Sequence, residues 1–142
     1  MNETILRFGY PTTLIKEYNW WMILLRANQI TIGSLMLVYK PGVESLSEVS
    51  QEGFAELGII TKKIETVLSC LFGMEKINYL ALMMVDKNVH FHVIPRYSTK
   101  VDFNNKIFVD SGWPNLPDFS FNNEISNLEN IVLKETIVNS FK

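Results

Sequence analysis

The order of apolar patterns along this chain predicts an α+β domain: a mostly antiparallel sheet of about five strands, packed against a long central helix and a C-terminal helix. Three observations carry the prediction. Short apolar runs separated by turn residues fill residues 12–42. A stretch with apolar positions three and four apart then spans residues 54–71. Two more short runs and a second helical pattern complete the chain.

Taken in order, "TTLIKEY" (12–18) and "WWMILL" (20–25) read as strands joined by a tight turn at Asn19. Trp20 and Trp21 are adjacent, so in a strand they face opposite ways, one toward the core and the other toward a pocket or a dimer surface. "SLMLVY" (34–39) is the third strand, closed by Pro41 and Gly42. From Ser50, the positions Phe54, Leu57, Ile60, Ile64, Val67, Leu68 and Leu71 place one face of a helix in the core. Ser47 or Ser50 caps this helix and Gly73 ends it, while Gly53 and Gly58 weaken it locally. "INYLALMMV" (77–85) and "VHFHVI" (89–94) then form a hairpin across residues 86–88, and Pro95 is expected to stop its second strand. Residues 98–120 read as irregular and aromatic. The last helix is expected from Asn123, with Ile125, Leu128, Ile131, Val132 and Val138 inward.

Composition narrows the function. Hydrophobic residues make up 47% and charged residues 20% of 142, a globular balance that reads as a single domain over residues 1–142. The net charge of -2 lacks the basic excess that long nucleic acid requires, whereas a compact phosphorylated ligand needs only a few local donors. The lone Cys70 cannot close an intrachain disulfide, "MNETILRFGYP" has no secretory pattern, and the apolar runs are short for a bilayer. These features point to a soluble cytoplasmic protein without a membrane partner.

The stretch "NVHFHVIPRY" (88–97) holds both histidines of the chain. In a strand His90 and His92 share a face, joined by Asn88 if the strand begins early enough, while Val89, Phe91 and Val93 turn to the helices. Three readings are open: a sheet face with no further role, a metal pair, or a reactive or phosphate-binding imidazole pair. A metal site needs three or four ligands, so Asp86 or Asp102 would have to complete it. Imidazole titrates near neutrality and can attack phosphorus or move a proton.

The same stretch resembles the histidine triad family, whose motif alternates three histidines with hydrophobic residues and often ends in Pro-Arg. Residues 24–57, "LLRANQITIGSLMLVYKPGVESLSEVSQEGFAEL", are similar to the family's passage through a glycine into a strand and a long helix. "INYLALMM" (77–84) is similar to the strand before its motif. The resemblance implies a small α+β domain that forms a homodimer, binds a nucleotide and cleaves or transfers a nucleoside monophosphate. The substrate would be a dinucleoside polyphosphate or a nucleoside phosphoramidate. His90 matches the nucleophile that takes the nucleotidyl group, and His92 the histidine that donates to a phosphate or leaving-group oxygen. No cofactor is required, magnesium entering only as a complex with the substrate.

The resemblance also places ligand contacts at Arg26, Asn28 and Gln29, before Gly33, against the alternative of a solvated turn. Gly33 allows close backbone approach or a turn. Lys40 is a ligand cation or a solvated strand end, Asn78 a sugar or phosphate contact or an ordinary polar residue, and Arg96 a phosphate donor or half of an ion pair. Trp113, in "FVDSGWPNLP" (108–117), contacts the nucleotide or a partner, or packs over the sheet edge. Three positions depart from the family. Asn88 stands where the first histidine is found, Ser34 replaces a histidine common after the glycine, and Asp86-Lys87 replaces a Gly-Gln segment. Asparagine keeps hydrogen-bonding capacity but cannot carry the proton charge. A non-catalytic nucleotide-binding or protein-interaction module is therefore the alternative function.

Overall fold

The computed structural model describes all residues 1–142. Strands β1 (Leu14–Glu17), β2 (Trp21–Leu25) and β3 (Leu35–Tyr39) precede the long helix, here α2 (Gln51–Phe72). Strands β4 (Lys76–Leu80) and β5 (His90–Arg96) follow, and helix α3 (Asn127–Ser140) closes the chain. Together the strands form one antiparallel five-stranded sheet in the order β1-β2-β3-β5-β4. The predicted α+β class and strand number are those observed.

Every residue of β2 and β3 is buried, which explains their unbroken apolar runs: both faces of the sheet are covered. On one face Trp21, Ile23, Leu35, Leu37 and Val93 pack with Ile60, Ile64 and Leu68 of α2 and Leu133 and Ile137 of α3. On the other, Met22, Leu24, Met36 and Val38 form a smaller cluster with Ile5 and the flanking Phe8, Tyr10 and Leu14. Ile5 lies on a short N-terminal helix, α1 (Glu3–Arg7). Five residues are too few to show a helical period, so α1 escapes a pattern search despite the Asn2 cap, whose side chain accepts from the Ile5 amide.

Helix α2 begins and ends where its caps predict. The Ser50 hydroxyl accepts from the Gly53 amide, and Gly73 ends the helix with φ 69°. Glu56 ties it to the sheet by accepting from the amides of Trp20 at 2.7 Å and Trp21 at 3.1 Å. Gly53 is there for closeness: Trp21 Nε1 donates to its carbonyl at 2.7 Å, and a Cβ would stand 2.9 Å from the Tyr39 ring. Phe54, expected inside, is instead 43% exposed.

Four expectations change. Strand β4 stops at Leu80, and residues 81–89, with Met83 at the left-handed φ of 44°, form the connection in place of a three-residue turn. Strand β5 runs through Pro95 to Arg96. The Arg96 carbonyl accepts from Glu75 on the β4 side, so the Pro95 nitrogen points the other way, where pairing with β3 has ended at Val93. Residues 98–120 contain a hairpin of β6 (Val101–Phe103) and β7 (Lys106–Phe108), turned by Asn104 and Asn105 at φ 53° and 63°. Helix α3 starts at Asn127 behind a capping box between Ser126 and Glu129. It buries Leu133, Ile137 and then Phe141, four residues apart, leaving Leu128, Ile131 and Val132 exposed. No helix is long and apolar enough to cross a membrane.

Candidate active site

Strand register sets the histidines side by side. His90 lies opposite Val38 and His92 opposite Met36, so both point to the α1-covered face, while Val89 and Val93 enter the helix-side core. The imidazole centroids are 5.2 Å apart. Phe8, at the end of α1, packs against both, at 5.5 Å from His90 and 6.4 Å from His92. On the far side Phe119 meets the His92 ring edge-on at 5.5 Å.

His90 Nδ1 lies 2.7 Å from the carbonyl oxygen of Asn88. A carbonyl only accepts, so the ring proton is assigned to Nδ1, which leaves the lone pair on Nε2. The residue is 2% exposed. Nε2 has no protein partner, yet the buried unpartnered side-chain atoms are only Asp86 Oδ1, His92 Nδ1 and Asn130 Oδ1. The small exposed part of His90 therefore includes Nε2.

Asn88 precedes the first residue of β5, so strand alternation does not govern its side chain. Its Oδ1 accepts from Thr4 Oγ1 of α1 at 3.1 Å. Asn88 thus meets α1, the helix that covers the face of His90 and His92, through its side chain, and serves His90 through its main chain. That peptide is oriented by the next amide, since Val89 N donates to Val43 O at 2.9 Å. An asparagine supplies this carbonyl as well as a histidine does.

His92 is half-buried and its Nδ1 has no partner. Burial foremost, then the neighbouring His90 and Arg26, push its pKa down to about 4, while Asp86 pulls it up. The ring is neutral at pH 7 and carries a single N–H. Asp86 Oδ1 stands 3.0 Å from Arg7 Nε, close enough for an ion pair but without hydrogen-bond alignment.

Of the other expected residues, Arg26 reaches this cluster. Its guanidinium lies 5.4 Å over the Phe119 ring and donates to the Asn28 carbonyl at 2.8 Å, and burial lowers its pKa. The Asn28 side chain is exposed at the turn, whereas buried Gln29 staples the loop by bonding Arg26 O, Ser34 O and the Gly33 amide. Gly33, at φ 87°, abuts Leu68 and Phe72 on the helix side, away from the histidines. The Ser34 hydroxyl donates inward to Thr31 O at 2.7 Å. Lys40 pairs with Glu17 at 2.7 Å beyond the end of β3.

Asn78 and Arg96 join in a separate network on the same face. Arg96 donates to Asn78 Oδ1 at 2.8 Å and forms a two-point pair with Asp110 at 2.7 and 3.1 Å. Asp110 also accepts from the Tyr97 and Gly112 amides. The ion-pair alternative for Arg96 is the arrangement present. The largest groove, about 850 Å³, runs along edge strand β4 beside Trp113 and Leu116 and not over the imidazoles. Leu80, opposite His92, marks its near end. No three His, Cys, Asp or Glu side chains cluster as a metal set. Phe8, Phe119, Thr4 and Asp110 carried no signal in the sequence, because each arrives from a distant segment.

No family model and no curated protein matches the sequence. Solved structures do match the fold. A histidine triad protein from Sinorhizobium meliloti superposes with a TM-score of 0.75 at 22% identity, covering 99% of this chain and 95% of that one. One from Marinobacter aquaeolei gives 0.71 at 18% identity over 95% and 92%. A histidine triad nucleotide-binding protein from Sulfolobus tokodaii gives 0.69 at 16% identity over 96% and 88%. The chain has the fold of the histidine triad proteins.

Proposed function

We propose that residues 1–142 form a histidine-triad-type nucleotide-binding enzyme, a hydrolase or nucleotidyl transferase acting on a dinucleoside polyphosphate or nucleoside phosphoramidate. The observation that carries this reading is the 2.7 Å bond from His90 Nδ1 to the Asn88 carbonyl, which leaves a reachable Nε2 lone pair. Nε2 attacks the α-phosphorus, the P–N bond forms, the bond to the leaving group breaks, and that group departs with a proton. Water then attacks the same phosphorus, displaces Nε2 and gives up a proton, releasing the nucleoside monophosphate. His92 donates its N–H to a phosphate oxygen, and the Arg26 cation adds to the field there. Asn88 contributes its carbonyl, so loss of the first imidazole leaves the nucleophile's tautomer intact.

Arg26, Asn28 and Trp113 are the proposed nucleotide contacts from outside β5, with Asn78 and Arg96 holding the Trp113 loop in place. Any magnesium enters with the substrate's phosphates. The open β4 edge is the surface proposed for a homodimer, and the lone exposed Cys70 suits a cytoplasmic setting. A second reading, a non-catalytic nucleotide-binding module, is favoured by the cover of Phe8 over both imidazoles. A turnover screen of AMP phosphoramidates and dinucleoside polyphosphates with wild type and His90→Ala separates the two. Product from wild type alone supports the enzyme, and calorimetric binding without product over hours supports the module.

A further inference from the structure

The proposed reaction leaves a proton unassigned. The leaving group must receive one, and a neutral His92 in the free site has none to spare. The groups that face His92 are His90 on β5, Arg26 after β2, and Asp86 in the connection before β5. Phe8 and Phe119 flank it without charge. Arg7 acts on the site through Asp86.

Two of the three buried side-chain atoms without a hydrogen-bond partner belong to this group: His92 Nδ1 and Asp86 Oδ1. Adjacent residues of the N-terminal segment bring them to one place. Phe8 packs on the His92 ring at 6.4 Å, and Arg7 Nε stands 3.0 Å from Asp86 Oδ1. A buried acceptor and a buried ring nitrogen that both go unbonded are costly, and the cost falls if the ring takes a proton that the carboxylate faces.

We propose that Asp86 is the positioning residue for His92: when a nucleotide phosphate binds, His92 takes up a proton from solvent and becomes an imidazolium, its Nδ1–H directed to Asp86 and its Nε2–H to the leaving-group atom. The inference rests on the reading of the site as nucleotide-handling. In the free site the positive neighbour Arg26 and burial keep the ring neutral. An incoming phosphate replaces that balance with negative charge on one side of the ring and Asp86 on the other. As the bond to the leaving group breaks, the Nε2 proton moves to the departing atom. The ring returns to neutral with its Nε2 lone pair free to take the proton that the attacking water gives up.

Binding and protonation are then linked, and the linkage is measurable without turnover. AMP is titrated into the protein by calorimetry at pH 6.5 in buffers of different ionisation enthalpy. Wild type is expected to take up about half a proton or more per AMP bound. Asp86→Asn and His92→Gln are expected to bind AMP with uptake near zero, and Asp86→Glu to restore it. Asp86 is 19% exposed and its partner Arg7 57% exposed, so circular dichroism of Asp86→Asn checks that the fold is kept when the charge is removed. AMP binding to wild type without proton uptake, or uptake unchanged in Asp86→Asn, overturns the inference while leaving the nucleotide-binding reading intact. No AMP binding to wild type overturns both.

Discussion

Asp110→Ala tests how the loop that carries Phe119 and Trp113 is held beside the histidines. The side chains of Arg96 and Asp110 are 5% and 1% exposed, and the carboxylate accepts four hydrogen bonds, two from Arg96 and one each from the Tyr97 and Gly112 amides. Removing it leaves a buried guanidinium with Asn78 as its one remaining partner. Stranding one member of such a pair costs about 3–5 kcal/mol. With a urea slope of about 2 kcal/mol/M, the unfolding midpoint falls by about 2 M. The paired variant Arg96→Met/Asp110→Ala strands no charge, so its loss is expected to be smaller than the sum of the single losses by about 1 kcal/mol or more. Urea denaturation followed by tryptophan fluorescence reads all four proteins. A loss below about 1 kcal/mol for Asp110→Ala, or strict additivity in the cycle, would refute the pairing as the loop's anchor.

Three further outcomes are expected. His90→Ala lowers turnover of any active nucleotide by about 10³-fold or more while the circular dichroism spectrum is kept, as measured by steady-state assay. His92, depressed from 6.5 to about 4, binds fewer protons folded than unfolded, so its contribution makes stability fall as pH drops from 6.5 toward 4 and stay level above. Allowing for the ring's partial exposure, wild type loses about 1 kcal/mol more than His92→Gln between pH 7 and pH 4.5 in urea titrations. Gly33→Ala strains a backbone at φ 87° and sets a Cβ 2.9 Å from Leu68, so thermal melting should show a loss of about 2 kcal/mol.

Where the chain's local chemistry coincides with its tertiary role, the sequence is readable. The runs 20–25 and 34–39 contain β2 and β3, because a strand buried on both faces has nothing but apolar residues to show. Ser50 and Gly73 mark α2 because capping is a local bond. The spacing of His90 and His92 gives their shared face for the same reason. Helix α3 is harder. Ile131 and Val132 are as apolar as Leu133, and only the docking of the helix on the sheet decides which one is buried. Pro95 misleads because its missing N–H costs nothing where β3 has already ended.

The site follows the same division. Its imidazoles are legible, but their surroundings come from α1, the turn after β2 and the loop near Phe119, segments far apart along the chain. Asn88 is the instructive residue. By type it is an asparagine where the triad motif has a histidine; by position its side chain answers to Thr4 and its main chain to His90. Side-chain identity cannot report a role performed by a carbonyl that every residue has.

The nucleophile of the proposed reaction is His90 Nε2. Rapid acid-free quenching during turnover of an AMP phosphoramidate, followed by mass spectrometry of the peptide spanning residues 88–97, tests it directly. An added adenosine monophosphate on His90 that vanishes in His90→Ala is the expected result. Turnover without any adduct on that peptide, or an adduct on His92, would contradict it.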